Sequence, residues 1–305
     1  MNNTIFRAFN LNTIVIISLC FTAILSFWLY EDYGRTKNEI KEIENIHIED
    51  QKIIIKRHIL KLSNYIEESR KQFYKHAGEH IKSRTDEAYF IASSLYNYYK
   101  DKKSLDEIKE MVKEALRQKR TGKSSRGYYF VLNINGTIEL FADMPEMEGR
   151  NLINIRDPDG RYFMKDMIKI ARTEGEGFYE YRWTKPGGRG AYHKKISYLK
   201  YFSPFEWVLS SGEYIEDLDR DFTEQTISLL QDMQGADGSY LFAIDFNGRC
   251  FVHAKRDFIG KSLIELRDKE NRPIIKEMIE LGKKGGGYVT YLWENPNSGD
   301  IMPKI

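Results

Sequence analysis

Residues 127–186 read GYYFVLNINGTIELFADMPEMEGRNLINIRDPDGRYFMKDMIKIARTEGEGFYEYRWTKP, and residues 239–296 read SYLFAIDFNGRCFVHAKRDFIGKSLIELRDKENRPIIKEMIELGKKGGGYVTYLWENP. The two stretches repeat one pattern, since the Asn-Gly pair, the later Arg-Asp pair and the Tyr-x-Trp triplet recur at offsets of 112, 111 and 110 residues. A period of this length is the size of a small domain and is too long for a solenoid repeat. The sequence therefore predicts a tandem duplication of one domain.

The first copy has the period-two alternation that is typical of strands. Asn135-Gly136 predicts a tight hairpin turn between the first two strands. The order of strand, strand, helix and three strands predicts one antiparallel sheet with helical cover, and alternation places Tyr179, Tyr181 and Trp183 on one face. The predicted strands are 127–134, 137–142, 177–183, 195–202 and 207–214, and the predicted helix is 161–172.

A long helical region precedes the first copy. Residues 35–121 contain no proline and one glycine, Gly78, and their apolar residues recur every three or four positions. This spacing predicts a long amphipathic helix. The string Ser104-Leu-Asp-Glu107 has the pattern of a capping box, which predicts that a second helix begins there and runs to about Arg120.

The N-terminal segment predicts a membrane anchor. Residues 11–30 carry no charge, and 20 such residues are about enough to span the hydrocarbon core as a helix. Arg7 precedes this run and Glu31 and Asp32 follow it, so the charge bias places residues 1–10 in the cytoplasm and the bulk of the chain outside it. A cleaved signal peptide is the alternative, although no clear small-x-small cleavage site follows.

A series of motifs in the first copy resembles the Cache family of extracytoplasmic sensor domains. Together with the membrane anchor and the long helix, the resemblance covers nearly the whole chain, and the order of the motifs is more specific than any one of them. Its members are GYYFVLNxNG at 127–136, GRNL at 149–152, DPDG at 157–160, GFYEYRWxKP at 177–186, KISY at 195–198 and WVLSSGEYI at 207–215.

The resemblance implies an α+β fold in which PAS-like antiparallel sheets with helical cover follow a long N-terminal helix. It also implies a pocket for a small ligand, often a short organic acid or amino acid, in a bacterial transmembrane receptor such as a chemoreceptor, a histidine kinase or a cyclic-dinucleotide enzyme. The expected organisation is an N-terminus at 1–10, a transmembrane anchor at 11–30, a helical region at 31–121, a first Cache sheet at 122–215, a connecting helix at 216–237 and a second, incomplete Cache module at 238–305.

The second copy is expected to be incomplete. Lys304-Ile305 matches Lys195-Ile196 at the start of the fourth strand, and the sequence stops there. The last two strands, a second membrane span and an output domain are therefore expected to be missing, which would leave an open sheet edge in the second module.

Candidate ligand-binding residues combine cations, hydrogen-bond donors and apolar walls, which a pocket for an organic anion requires. The resemblance favours the Tyr-x-Trp strand and Lys195 as facing the pocket, and Lys195 is expected at its mouth because it opens a strand after a hairpin. The candidates are Arg126, Tyr128, Phe130, Phe141, Tyr181, Trp183, Lys195 and Tyr198.

The aromatic candidates could instead form the core, and Arg126 and Arg182 could equally lie on the solvated surface. Arg156-Asp157, repeated as Arg267-Asp268, is expected to hold the loop before the helix rather than to contact a ligand. Both copies need the same loop, but they need not share a ligand.

Catalytic, metal and cofactor sites are not expected. His76-Ala-Gly-Glu79-His80 matches the H-x-x-E-H pattern of some zinc peptidases, but it lies in a charged helix without a cleft. Thr121-Gly-Lys-Ser-Ser125 lacks the earlier glycine of a phosphate-binding loop, because Arg117 stands there. No pairing of a nucleophile with a base suggests an enzyme.

The function expected from the sequence is small-molecule sensing outside the cytoplasm by a membrane-bound receptor. A homodimer through the long helix is the expected assembly, and the net charge of +2 gives no reason to expect a nucleic-acid partner. The alternative is a structural or interaction module whose sheets are filled with side chains. A sheet face with no cavity near Tyr181 and Lys195 would favour that alternative.

Overall fold

The computed structural model describes residues 2–119, 127–185, 190–233, 240–294 and 299–305, with side chains from residue 18 onward. The chain divides into two units, Tyr65–Ser262 and Met1–Asn64 with Leu263–Ile305. The helices are α1 (Asn2–Tyr99), α2 (Leu105–Arg117), α3 (Phe163–Glu174), α4 (Ile215–Asp232) and α5 (Ile274–Lys283). The strands are β1 (Tyr129–Asn133), β2 (Ile138–Phe141), β3 (Glu176–Thr184), β4 (Tyr192–Phe202), β5 (Trp207–Tyr214), β6 (Ala243–Ile244), β7 (Cys250–Val252), β8 (Tyr291–Glu294) and β9 (Ile301–Lys304).

The helix predicted at 11–30 and the long helix that follows it form one continuous helix, α1. Within the described part of the chain, no helix has a stretch long and apolar enough to cross a membrane. The side chains of residues 11–17, which belong to the predicted anchor, lie outside the described residues.

The predicted capping box begins α2. The Ser104 backbone N–H donates to Glu107 Oε2 at 2.9 Å, and the Glu107 N–H donates to Ser104 Oγ at 3.3 Å. These two bonds satisfy backbone donors that a helix start otherwise leaves free. Helix α2 buries Ile108, Val112 and Leu116, which recur every four residues and so lie on one face.

The first repeat folds into a five-stranded antiparallel sheet with the order β2-β1-β5-β4-β3. All five predicted strands are present, and the predicted helix 161–172 corresponds to α3. The α+β class and the antiparallel sheet are thereby confirmed. Strand β4 begins three residues earlier than predicted, because Thr184 of β3 pairs with Tyr192 and extends the hairpin.

The sheet buries side chains on both faces, because each face packs against different helices. One face packs against α1 and α2 around the fully buried Trp207, with Ala88 and Ala92 of α1 letting the backbones approach closely. The other face packs against α3 through Phe163 and Met167. The face toward α3 carries all of the aromatic residues predicted for the pocket except Tyr198, and we call it the pocket face.

The loop before α3 is held by Asp157, as the repeated Arg-Asp pair predicts. Asp157 Oδ1 accepts backbone N–H bonds from Asp159 and Arg161 at 3.0 Å each, and the Arg161 guanidinium donates to Oδ2. In the second repeat Asp268 accepts the equivalent bonds from Glu270 and Arg272. The repetition therefore reflects a shared loop structure.

The second repeat forms two-stranded sheets, β6-β7 and β8-β9. Tyr291 of β8 pairs with Lys304 of β9, just as Tyr181 pairs with Lys195 in the first repeat. This register confirms the sequence alignment of Lys304 with Lys195.

Replacing Gly78 with alanine is expected to stabilise the chain by about 0.5–1 kcal/mol, because glycine in a helix interior is entropically unfavourable. The added Cβ would meet only Phe178 Cζ at 3.6 Å, an ordinary contact. Urea unfolding of the Gly78→Ala variant checks this, and a decrease in stability would contradict it.

Candidate ligand pocket of the first repeat

A small cavity lies between the pocket face and α3. Its volume is about 10 Å³, which is room for about one water molecule. Strand alternation points Phe130, Tyr181, Trp183 and Lys195 to this side of the sheet. Helix α3 covers the cavity on the side away from the sheet. The lining residues are Phe130, Leu132, Ile138, Phe141, Phe163, Met164, Met167, Tyr181, Trp183 and Lys195.

Lys195 is the cation of the pocket and is 1% exposed. Its Nζ donates to the Tyr128 hydroxyl at 2.7 Å. It also lies 4.2, 5.0 and 5.3 Å from the ring centres of Tyr128, Phe130 and Tyr214, distances at which an ammonium is attracted to an aromatic ring. Among the described residues, no carboxylate lies within 4 Å of this Nζ.

Burial lowers the pKa of Lys195 to about 7, because the charged ammonium loses its hydration. Glu213 opposes this shift and Arg84 adds to it. Glu213 pairs with Ile196, and on the other face of the sheet its carboxylate accepts a 2.7 Å hydrogen bond from Arg84 Nη1 of α1. The negative charge of Glu213 is therefore already neutralised by Arg84.

Trp183 supplies a second hydrogen-bond donor and, unlike the buried and likewise unpaired Trp207 on the opposite face, it lines the cavity. Its Nε1 is buried and has no acceptor within the described part of the chain, although its ring packs against Phe141 and Phe163. A buried N–H without an acceptor is unfavourable by about 1–3 kcal/mol, so such groups call for a functional explanation. A ligand oxygen in the cavity would satisfy it.

Gly212 of β5 makes room for the Lys195 side chain. A Cβ at this position would lie 3.1 Å from Lys195 Cε, 2.5 Å from the Ile196 carbonyl oxygen and 2.2 Å from Ser197 Oγ. Any other residue here would push β4 away from β5. Gly212 therefore allows the Lys195 side chain to lie deep between the strands and α3.

The structure brings most of the predicted site residues together. Phe130, Phe141, Tyr181, Trp183 and Lys195 line the cavity, and Tyr128 contacts Lys195 directly. Arg126 lies outside the described residues. Lys195 lies inside the cavity rather than at its mouth, because β4 begins at Tyr192.

Tyr198 lies on the opposite face of the sheet, away from the cavity. Its hydroxyl accepts a hydrogen bond from Lys82 of α1, and its ring centre is 4.6 Å from that of Phe178. Tyr198 lies three positions after Lys195, so alternation along β4 puts their side chains on opposite faces. The grouping of these two residues in one site is not seen in the structure.

Lys82 links Tyr198 to a carboxylate on the same face. It donates to Glu176 at 2.7 Å, and this bond, followed by that from Lys200, holds the pKa of Glu176 at about 2. These ion pairs attach α1 to the last two strands of the sheet order. Arg182 is likewise engaged, since its Nε donates to Asp159 at 3.1 Å.

Several pocket residues were missed by the sequence analysis. Met164 and Met167 come from α3, whose apolar face was visible in the helical spacing but was interpreted as cover. Tyr214 completes the ring cage of Lys195, and its hydroxyl donates to the Thr184 carbonyl at 2.7 Å. Tyr214 lies opposite Lys195 because of the β4–β5 register, and this register could not be derived from the sequence.

No cluster of three or more His, Cys, Asp or Glu residues placed to hold a metal occurs among the described residues. The cavity lining supplies one amine, one indole N–H and the Tyr181 phenol among apolar side chains, with Tyr128 and Tyr214 beside the amine. Such a set can bind and orient an anion.

Comparison with known proteins identifies the family. The dCache_2 model, described as a Cache domain, matches residues 32–305. The chain belongs to the Cache domain family. The resemblance that the motifs of the first repeat indicate is thus confirmed.

Two curated relatives are receptors of different classes. Methyl-accepting chemotaxis protein McpP of Pseudomonas putida is 32% identical over 98 residues, which are 32% of this chain and 18% of McpP. Sensor histidine kinase MctS of Rhizobium johnstonii is 24% identical over 205 residues, which are 67% of this chain and 38% of MctS. The chain therefore matches well under half of the length of either relative.

Among solved structures, a Cache chemosensory domain studied for its recognition of carboxylic acids is 23% identical to this chain. The match covers 48% of this chain and 97% of that domain, with a TM-score of 0.44. The family match therefore identifies a Cache domain, and parts of the chain are similar to a chemotaxis protein and to a sensor histidine kinase.

Proposed function

We propose that the first Cache module binds a small carboxylate, either an organic acid or an amino acid. The observation that carries this proposal is a buried lysine amine and an unpaired indole N–H on the wall of one cavity. Both groups donate hydrogen bonds, and a carboxylate offers two acceptor oxygens. A buried cation is unfavourable until an anion pairs with it, so the pocket is suited to an anionic ligand.

The cavity must enlarge to admit such a ligand, since about 10 Å³ holds only about one water molecule. Met164 and Met167 of α3 line the cavity, and unbranched methionine side chains adapt readily to a new neighbour. We therefore propose that α3 and its methionines move when the ligand enters.

The proposal is tested by screening the purified chain for thermal stabilisation with short organic acids and amino acids, followed by calorimetric titration. A bound ligand stabilises the folded state by mass action, with about 2.7 kcal/mol at a hundredfold excess over the dissociation constant. Failure of a folded sample to bind any of these acids would overturn the proposal.

Trp183→Phe is expected to weaken carboxylate binding about five- to twentyfold while leaving the fold intact. The phenyl ring keeps the packing against Phe141 and Phe163, whereas the hydrogen bond from Nε1 is lost. Calorimetric titration measures the change. Trp207→Phe is a matched control, because Trp207 lies on the opposite face with an equally unpaired Nε1 and should leave the affinity unchanged.

The alternative function is a structural or interaction module without a ligand. The small volume of the cavity is the observation that favours it, since the pocket face is almost filled by side chains. The two candidates differ in the role of Lys195. A filled module gains nothing from a buried amine, whereas a carboxylate sensor requires it.

We also propose that the chain is the extracytoplasmic sensing part of a membrane-bound receptor without catalytic activity of its own. The uncharged run at 11–30 supports a membrane anchor.

Assembly of two chains through α1 is supported by its exposed apolar residues, among them Ile40, Ile43 and Ile53. Ligand binding would shift the population between two arrangements of α1. Analytical ultracentrifugation tests the assembly, and a monomer at every concentration would exclude it.

A further inference from the structure

The charged surroundings of Lys195 are set by three elements. Tyr128 and Tyr214 contact its amine from the β1 and β5 sides, and Glu213 and Arg84 act on it from β5 and α1. Helix α3 presents Phe163, Met164 and Met167 to the cavity, which carry no charge. In the described structure, the amine therefore has one neutral hydrogen-bond partner, the Tyr128 hydroxyl, and one carboxylate near it, Glu213, that is already paired with Arg84.

We propose that the first Cache module takes up one proton at Lys195 when it binds a carboxylate, so that its affinity for the ligand falls as the pH rises above neutrality. This inference rests on the proposed function, because it concerns the same pocket. The reaction is balanced by a proton from solvent: the neutral amine of Lys195, the carboxylate anion and one proton give an ammonium–carboxylate pair.

The proton is needed because no other positive charge among the described residues of the cavity lining balances the negative charge of the bound carboxylate. A carboxylate brings one negative charge into a largely apolar cavity, and the guanidinium of Arg84 is engaged by Glu213 at 2.7 Å on the other face of the sheet. An ammonium at Lys195 compensates the new charge, whereas a neutral amine would leave it unpaired. Binding the anion must therefore raise the proton affinity of Lys195.

The low pKa of Lys195, about 7 because of burial, places the transition within an accessible range. Below pH 7 Lys195 of the free protein is already mostly an ammonium, so ligand binding takes up only a small fraction of a proton. Above pH 7 the free protein is mostly neutral and must be protonated on binding. We expect uptake of about 0.1 proton at pH 6 and about 0.9 at pH 8, and an affinity about tenfold lower at pH 8 than at pH 6.

The test is calorimetric titration of the full chain with acetate, the smallest suitable probe, from pH 6 to pH 9 in pairs of buffers with different ionisation enthalpies. The slope of the observed enthalpy against the buffer enthalpy gives the number of protons taken up. Acetamide is the matched neutral probe, and its affinity should not depend on pH. A carbon-13 label at Lys195 Cε reports the same protonation by its chemical shift, with and without acetate.

The outcomes separate this inference from the proposed function. Acetate binding with proton uptake that rises from pH 6 to pH 8 supports both. Acetate binding without proton uptake at any pH overturns the inference and leaves the carboxylate site intact. Absence of binding by folded protein to acetate and to every other acid of the screen overturns both.

Discussion

Lys195→Met is expected to abolish carboxylate binding and at the same time to stabilise the unliganded chain by about 1–4 kcal/mol. Methionine has nearly the volume of lysine and no charge, so it fills the same space between Tyr128 and Gly212 without a desolvated amine. The Tyr128 hydroxyl keeps a neighbour in the Tyr214 hydroxyl at 3.4 Å. Calorimetric titration and urea unfolding measure the two effects.

The gain in stability should depend on pH in a defined direction. The folded-state pKa of Lys195 is about 7 and its ordinary value is 10.5, so between these values the unfolded chain binds more protons than the folded one. The free energy of unfolding of the wild type therefore contains a contribution that rises with pH through this window. The advantage of the methionine variant should be largest below pH 7 and disappear near pH 10.5.

Lys200→Met is the matched control, because Lys200 lies on the same strand but on the opposite face. Its amine forms ion pairs with Asp86 and, at 2.9 Å, with Glu176. Its loss should leave ligand affinity unchanged and lower the stability by less than about 1 kcal/mol, as for other partly exposed pairs. If Lys195→Met destabilises the chain at neutral pH, or still binds carboxylates, Lys195 is a structural residue and not the ligand cation.

Much of the first repeat could be predicted from its sequence, because local rules and tertiary packing agree there. The capping box at Ser104 and the strand alternation at Tyr181 and Trp183 each depend on residues close in sequence. The same alternation would have separated Tyr198 from Lys195. Both residues belong to the KISY motif, but residues three positions apart on a strand face opposite sides of the sheet.

The properties of the pocket could not be predicted, because they depend on residues that meet only in the folded chain. The depth of Lys195 follows from the β3–β4 hairpin and from Gly212 on β5, which pairs with Ser197 and leaves room for the Lys195 side chain. The size of the cavity depends on how Met164 and Met167 of α3 pack onto the sheet. The charge balance at Lys195 depends on Arg84, which is more than 100 residues away in sequence.

The buried amine and the unpaired indole reduce the stability of the unliganded module, and both become favourable only with an acceptor in the cavity. A site of this kind has a physical means of sensing, since ligand binding removes an unfavourable state instead of adding one more contact. The ion pair of Glu213 with Arg84 lies directly behind the pocket and joins β5 to α1. A change of charge at Lys195 therefore acts on the contact between the sheet and the long helix.

Gly212→Ala is expected to destabilise the chain by about 1–3 kcal/mol and to weaken carboxylate binding by at least about tenfold. The added Cβ would lie 2.5 Å from the backbone oxygen of Ile196, which cannot move without separating β4 from β5. The same displacement would shift Lys195, whose Cε lies 3.1 Å from the new atom. Urea unfolding and calorimetric titration measure the two effects.

A second substitution shows whether the strand separation is the cause. Ser197→Gly removes the hydroxyl that would lie 2.2 Å from the new Cβ, so the Gly212→Ala, Ser197→Gly double variant should recover part of the lost stability beyond the sum of the single changes. Gly34→Ala is the control, because its Cβ would meet nothing within 4 Å. It should leave binding unchanged and stabilise α1 slightly. If Gly212→Ala keeps full affinity, the position of Lys195 does not depend on the close approach of β4 and β5, and the pocket must tolerate a lysine held less deeply than the structure places it.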